Sequence, residues 1–221
     1  MSTVIVDEVK LEIPVWVNSL ETFRRWTDSE DFPEKGNIWW LQGEVWADMS
    51  KEQIFSHNLV KTRIAAVLDQ LVNEQDVGLL LSDGILLVHP EADLSGNPDA
   101  TYISHDARES GRVTLTEGRE HGYTEVVGSP EMVLEVVSDS SVEKDTEVLR
   151  KAYFLAGIEE YWLVDARGET ISFDILRRGA KGFVSVRKQE GWLKSQVFGK
   201  MFRLLKSLNR LGDPQFRLES R

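Results

Sequence analysis

The 221 residues are enough to bury a sizeable core, and a hydrophobic fraction of 41% with seven Trp and nine Phe marks a globular chain, not a disordered one. Cysteine is absent, which excludes disulfides, thiolate metal ligands and a cysteine nucleophile, and no apolar run approaches the ~18 residues of a membrane-spanning helix. The net charge of −11 speaks against a nucleic-acid partner until its distribution is considered: residues 1–176 carry −20 and residues 177–221 carry +9. Such a basic segment is either a face for a polyanion or a terminal piece docked on the chain's own acidic surface.

In chain order, MSTVIVDEVKLEIP has no basic stretch followed by an apolar one, so no secretory signal is expected and a cytoplasmic location follows. Asn18 with Glu21 has capping-box spacing, and Leu20, Phe23 and Trp26 would share one face of a short helix. Residues 28–36 form an acidic, proline-containing connection. IWWLQGEVWADM, residues 38–49, predicts a hairpin turning at Gln42-Gly43, with Glu44 opening its second strand. Residues 51–74 give the longest helical pattern, with Ile54, Leu59, Val60, Ile64, Val67, Leu68, Leu71 and Val72 in one apolar stripe. His57 lies near its first turn, a position open to a surface, packing or functional role. Residues 79–88 are β-like, with Ser82-Asp83-Gly84 either turning a hairpin or bulging a strand.

Asn97-Pro98-Asp99 is a turn opening into a strand, with the Asp99 carboxylate at its start. Residues 105–128 predict a polar loop containing strand pieces at 113–115 and 123–127. The next stretch, residues 129–165, organises the rest. Residues 132–137 form an apolar run suited to a strand buried on both faces, and Glu135 interrupts it. An unpaired buried carboxylate there would cost on the order of several kcal/mol, so Glu135 needs a cation. Ser140 with Glu143 predicts a second capping box, a helix runs to about residue 156, and Gly157 stops it. A strand at 161–164 ending on Asp165 completes a right-handed βαβ crossover. Were the Asp99 strand its neighbour, Asp99 and Glu135 could hold a divalent cation through oxygen alone; the competing reading of Asp99 is a solvated turn former. Residues 169–176 and 183–188 predict a hairpin, residues 192–198 a further strand and residues 199–211 a short basic helix. No linker or repeat divides the chain, so residues 1–221 are expected to form one domain.

Gln42-Gly43-Glu44, His57, Pro98-Asp99, Leu134-Glu135-Val136-Val137-Ser138, Lys144-Asp145, Tyr153, Ala156-Gly157-Ile158 and Glu160-Tyr161-Trp162-Leu163-Val164-Asp165, in that order, resemble the Uma-type family of putative restriction endonucleases, within the PD-(D/E)xK nuclease superfamily. The likeness spans about residues 38–176. It implies an α/β fold with a restriction-endonuclease-like core: a central mixed β-sheet flanked by helices, here with additional N- and C-terminal strands. It further implies Asp99 and Glu135 as ligands of Mg²⁺ (or Mn²⁺), Glu44 as a further acidic residue, and His57 as a family histidine of open role. The lysine usual two residues after the second carboxylate is replaced by Val137, and the helix position that substitutes for it in many members is Leu149. Lys144 is the expected replacement. Lys151 is rotated about 200° from position 149 and would point away.

Two functions follow. One is a metal-dependent endonuclease acting on DNA, with Arg177, Arg178 and Lys181 of the basic segment contacting the backbone, and a homodimer as the expected assembly. The other is a catalytically impaired member that kept the fold as a nucleic-acid-binding or interaction module.

Overall fold

The computed structural model describes residues 2–6, 9–33, 36–118 and 121–221; residues 34–35 of the first expected connection and 119–120 of the expected loop lie outside the described residues. Strands β1 (Ser2–Val6) and β2 (Val9–Ile13) pair antiparallel. Helix α1 (Leu20–Thr27) is capped by Ser19, whose hydroxyl accepts from Thr22 N at 3.2 Å while Thr22 Oγ1 accepts from Ser19 N at 2.9 Å. The capping box is thus Ser19–Thr22, one residue on from the expected Asn18–Glu21, because paired hydroxyls close the same reciprocal bonds. Phe23 and Trp26 are fully buried, with Leu20 packed beside them.

Strands β3 (Asn37–Leu41) and β4 (Glu44–Asp48) form the expected hairpin, and Gln42 and Gly43 both adopt positive φ, at 52° and 90°. That is the turn whose twist suits antiparallel strands. The long helix begins as a wide π-helical turn, Ile54–Leu59, and continues as α2 (Val60–Gln75). Val60, Ile64, Leu68 and Val72 carry the buried stripe, whereas Ile54 is 73% exposed and lies off it.

Next come β5 (Gly78–Ser82), β6 (Leu86–His89), β7 (Leu94–Gly96) and β8 (Ala100–Ser104). Ser82-Asp83-Gly84 neither turns a hairpin nor bulges a strand: β5 pairs with β8, whereas β6 pairs with β7 in a different sheet. Asp83 and Gly84, with φ of 50° and 72°, carry the chain between the two sheets. The expected loop at 105–128 is a short helix, α3 (His105–Glu109), followed by an antiparallel pair, β9 (Val113–Glu117) and β10 (Tyr123–Gly128), which contains both foreseen strand pieces.

The crossover is formed by β11 (Met132–Val136), a π-helical turn (Lys144–Val148), α4 (Leu149–Leu155) and β12 (Glu160–Asp165), with β11 and β12 parallel. Gly157, at φ 78°, ends its helix. The Ser140–Glu143 cap does not form, because Ser140 Oγ donates to Asp48 Oδ2 at 2.6 Å instead. Strands β13 (Ser172–Arg178) and β14 (Phe183–Ser185) make the expected hairpin. The strand foreseen at 192–198 shrinks to β15 (Leu193–Lys194), and the helix foreseen at 199–211 is a strand, β16 (Met201–Leu208), paired with β17 (Pro214–Ser220). Phe202 and Leu204 face inward together with Phe216 and Leu218, so period-two burial wins over the weak helical pattern.

The central sheet has the order β14-β13-β12-β11-β8-β5, and the second runs β4-β3-β7-β6-β10-β9. One face of the central sheet (Val133, Tyr161, Ile103) packs with α4 against Trp39, Leu41, Leu87 and Val126 of the second. Its other face (Leu134, Val136, Trp162, Val164) lies under α2 and the β16–β17 pair. This is the expected mixed sheet between helices, with extra strands at each terminus. Among the described residues no helix is long and apolar enough to cross a membrane.

Candidate active site

Strand β8 runs antiparallel to β11, with Leu134 opposite Ala100 and Val133 opposite Thr101. One further step along that ladder sets Asp99 beside Glu135. Val136 N–H donates to Asp99 Oδ2 at 2.7 Å, which pins the carboxylate to the neighbouring strand end. Glu135 is 3% exposed; Tyr153 Oη donates to its Oε1 at 2.5 Å, and Lys144 Nζ stands 3.9 Å from its Oε2. The cation that a buried Glu135 requires is therefore Lys144, as the sequence suggested. A recess of about 230 Å³ opens over the pair.

Lys144 is built in by several contacts. Its ammonium donates to Asp145 Oδ1 and lies 4.3 Å from the centre of the Trp39 ring. Trp39 in turn lies against Gly96, where an added Cβ would come within 2.0 Å of Trp39 Cδ1, so only glycine admits the ring there. Asp145 accepts from Ser141 Oγ at 2.5 Å, and its backbone oxygen accepts from Tyr161 Oη at 2.8 Å. The π-helical turn over Lys144–Val148 buries Lys144 and Asp145 side by side.

From α2's leading turn, His57 places Nε2 3.6 Å from Asp99 Oδ2 and Nδ1 2.7 Å from Glu52 Oε1. One helical turn later, Lys61 Nζ lies 2.8 Å from Asp83 Oδ2 and 3.4 Å from Asp99 Oδ1, and also pairs with Glu52. Sequence reading missed Lys61. Its available signal was a lysine four residues after His57, inside an otherwise apolar helix face. Glu52, Asp83, Asp48 and the anchoring role of Asp145 were missed as well; their roles depend on loops whose spatial course carries no periodic pattern.

Burial raises the pKa of Asp99 and Asp145 from the usual carboxylate value and that of Glu135 well above it. His57 and Lys61 pull Asp99 back, while Lys144 pulls back Glu135 and Asp145. Burial also pushes the Lys144 ammonium down, but Glu135 and Asp145 outweigh it and keep it charged. For the half-exposed Glu52, burial is outweighed by hydrogen bonds from Lys61, Asn58 and His57, which hold it down to about 2.

The remaining predicted residues lie elsewhere. Glu44 is exposed and lines a separate recess with Gln42, Glu147 and Lys151; the opposite end of its strand, Asp48, reaches the main recess, roughly 13 Å along. Lys151 points away from Glu135, as helix phasing predicted, and Val137 and Leu149 are buried in the core. Arg177 pairs in register with Glu160, which is level with Met132, so Arg177, Arg178 and the following Lys181 lie at the far end of the core strands from Asp99. Arg178 also stacks 4.2 Å over the Phe154 ring. Within the basic segment, Arg203 and Arg217 both pair with Glu219 at 2.6 Å, so part of its charge is neutralised locally.

These residues fit a divalent cation of the hard, oxygen-seeking type. Two carboxylates resist ionising together, and Asn97 lends the recess a buried amide oxygen that has no hydrogen-bond partner. Among the described residues no three His, Asp or Glu side chains are placed to hold a metal by themselves, so the rest of the shell would come from solvent or substrate oxygens.

A mixed sheet with an Asp and a Glu at adjacent strand ends, and a buried lysine from the crossover helix beside them, defines a restriction-endonuclease-like α/β protein. The chain belongs to the family described as "Uma2: Putative restriction endonuclease", whose pattern matches residues 20–204 and so extends beyond the 38–176 stretch. It is similar to the crystal structure of a putative nuclease belonging to DUF820 from Anabaena variabilis ATCC 29413, with a TM-score of 0.60 and 15% identity over 82% of this chain and 90% of that one. At that identity the likeness concerns the fold. No curated protein matches the chain.

Proposed function

We propose that the chain is a metal-dependent endonuclease that hydrolyses phosphodiester bonds in DNA, acting as one cytoplasmic domain in a homodimer. The observation that carries this reading is the Asp99–Glu135 pair at adjacent strand ends, with Lys144 anchored against it. When bound there, Mg²⁺ or Mn²⁺ would lower the pKa of a water and offset charge developing on the phosphate. Asp99 and Glu135 would hold that cation. Lys144 presents its ammonium to the same space, held by Asp145 and the Trp39 ring, where it opposes negative charge in the transition state. Glu52 is acceptor-only when ionised, so His57 Nδ1 donates to it, and this bond turns the ring's Nε2 towards Asp99. A two-fold dimer would present two such recesses to the two strands of a duplex.

The burial of Val137 and Leu149, at both positions where the family carries its lysine, favours the second reading of a nucleic-acid-binding module without catalysis. Incubating the protein with plasmid, single-stranded DNA and RNA across Mg²⁺ and Mn²⁺ series separates the two. Metal-dependent strand scission supports the endonuclease; binding without scission under every condition supports the module.

A further inference from the structure

Lys61 is a second buried cation at the site, and nothing above gives it a task. Its side chain is 11% exposed, and its ammonium stands among carboxylates from three places: Glu52 before the π-helical turn, Asp83 between β5 and β6, and Asp99 at the start of β8. The contacts are unequal. Asp83 at 2.8 Å and Glu52 hold the ammonium directly, whereas Asp99 Oδ1, at 3.4 Å, is a charged neighbour. Asp99 Oδ2 is already committed to the Val136 N–H and faced by His57, so Oδ1 is the oxygen left to meet a ligand. Burial alone would push the Lys61 ammonium down, but Asp99, Asp83 and Glu52 outweigh it, and Lys61 stays charged through the physiological range.

Each carboxylate of the pair therefore has its own ammonium: Lys144 with Glu135 and Lys61 with Asp99. The two lysines are anchored differently. Lys144 leans on Asp145, which is buried, while the Asp83 and Glu52 side chains are 60% and 36% exposed. Lys61 keeps two partners, both reachable by solvent, when Asp99 turns to a new cation.

We propose that Lys61 is the resident counter-cation of Asp99 and sets how tightly the site takes a divalent cation. The inference rests on reading Asp99 and Glu135 as the metal pair. A positive charge this close to a liganding oxygen repels a dication, in a recess where that repulsion is poorly screened. The lysine balances Asp99 while the site is empty and weakens the metal when it arrives.

The test is Mn²⁺ affinity of the full chain without nucleic acid, measured by calorimetry and by the metal-dependent rise in melting temperature. Lys61→Met and Lys61→Gln are expected to bind Mn²⁺ at least tenfold more tightly than wild type, and to melt lower without metal; Lys61→Gln keeps a neutral hydrogen-bonding group among the carboxylates in case the methionine variant does not fold. Lys61→Arg keeps the charge and is expected to stay within threefold of wild type. A purely structural lysine would lower the metal-free melting temperature without tightening the metal. Wild-type binding with no gain in either neutral variant overturns the inference and leaves the metal pair standing. Absence of Mn²⁺ binding in wild type and variants alike overturns the metal pair and the inference together.

Discussion

Tyr153 Oη donates to Glu135 Oε1 at 2.5 Å across the crossover, so the helix that leaves β11 returns its own phenol to the carboxylate on that strand. Burial raises the Tyr153 pKa well above that of a free phenol, which keeps the hydroxyl a donor. Tyr153→Phe leaves Glu135 Oε1 without that partner in a dry environment. The expected loss is about 1–3 kcal/mol of stability, read as a lower midpoint in urea denaturation with an unchanged slope. A midpoint equal to wild type would mean that the phenol does not support Glu135.

Lys144→Met is expected to lower cleavage by two or more orders of magnitude, the effect of losing roughly 3 kcal/mol of charge stabilisation. Lys151→Met is expected to change it little, because Lys151 lines the Glu44 recess. Since Asp145 loses its cation in the first variant, rates should be compared at a temperature where circular dichroism shows both proteins folded. A sensitive Lys151 with a silent Lys144 would contradict the site described above.

Replacing Arg177, Arg178 and Lys181 with Ala should leave the salt dependence of binding to a short duplex unchanged, because these residues stand at the other end of the core strands from Asp99. Each phosphate contact removed would flatten the log–log slope by about one unit. A flattened slope would show that the duplex extends to that end.

The central crossover was legible because an apolar run, a helix with a glycine stop and a second apolar run leave few alternatives, and a glutamate within the first run had to find a cation. Lys144 could be named for the same reason. The Ser82-Asp83-Gly84 switch between sheets was not legible, because a turn signal does not say which sheet the next strand joins. Strand β16 was misread as a helix because Met201–Leu208 mixes basic and apolar residues in a pattern that suits either period. Glu44 illustrates a limit of matching motifs. Its hairpin was correctly foreseen, yet the end of β4 that reaches the recess carries Asp48, and only strand direction in space decides that.

Glu135→Ala tests the central claim most directly. The substitution removes a buried charge and leaves Lys144 paired with Asp145, but it strands the buried Tyr153 hydroxyl, so the variant is expected to fold with a stability about 1–3 kcal/mol below wild type. Plasmid nicking should be followed in parallel for wild type and variant over a Mg²⁺ and Mn²⁺ series, with circular dichroism confirming both folds. The account predicts metal-dependent nicking by wild type and none above background by Glu135→Ala. Full metal-dependent nicking by a folded Glu135→Ala protein would contradict it.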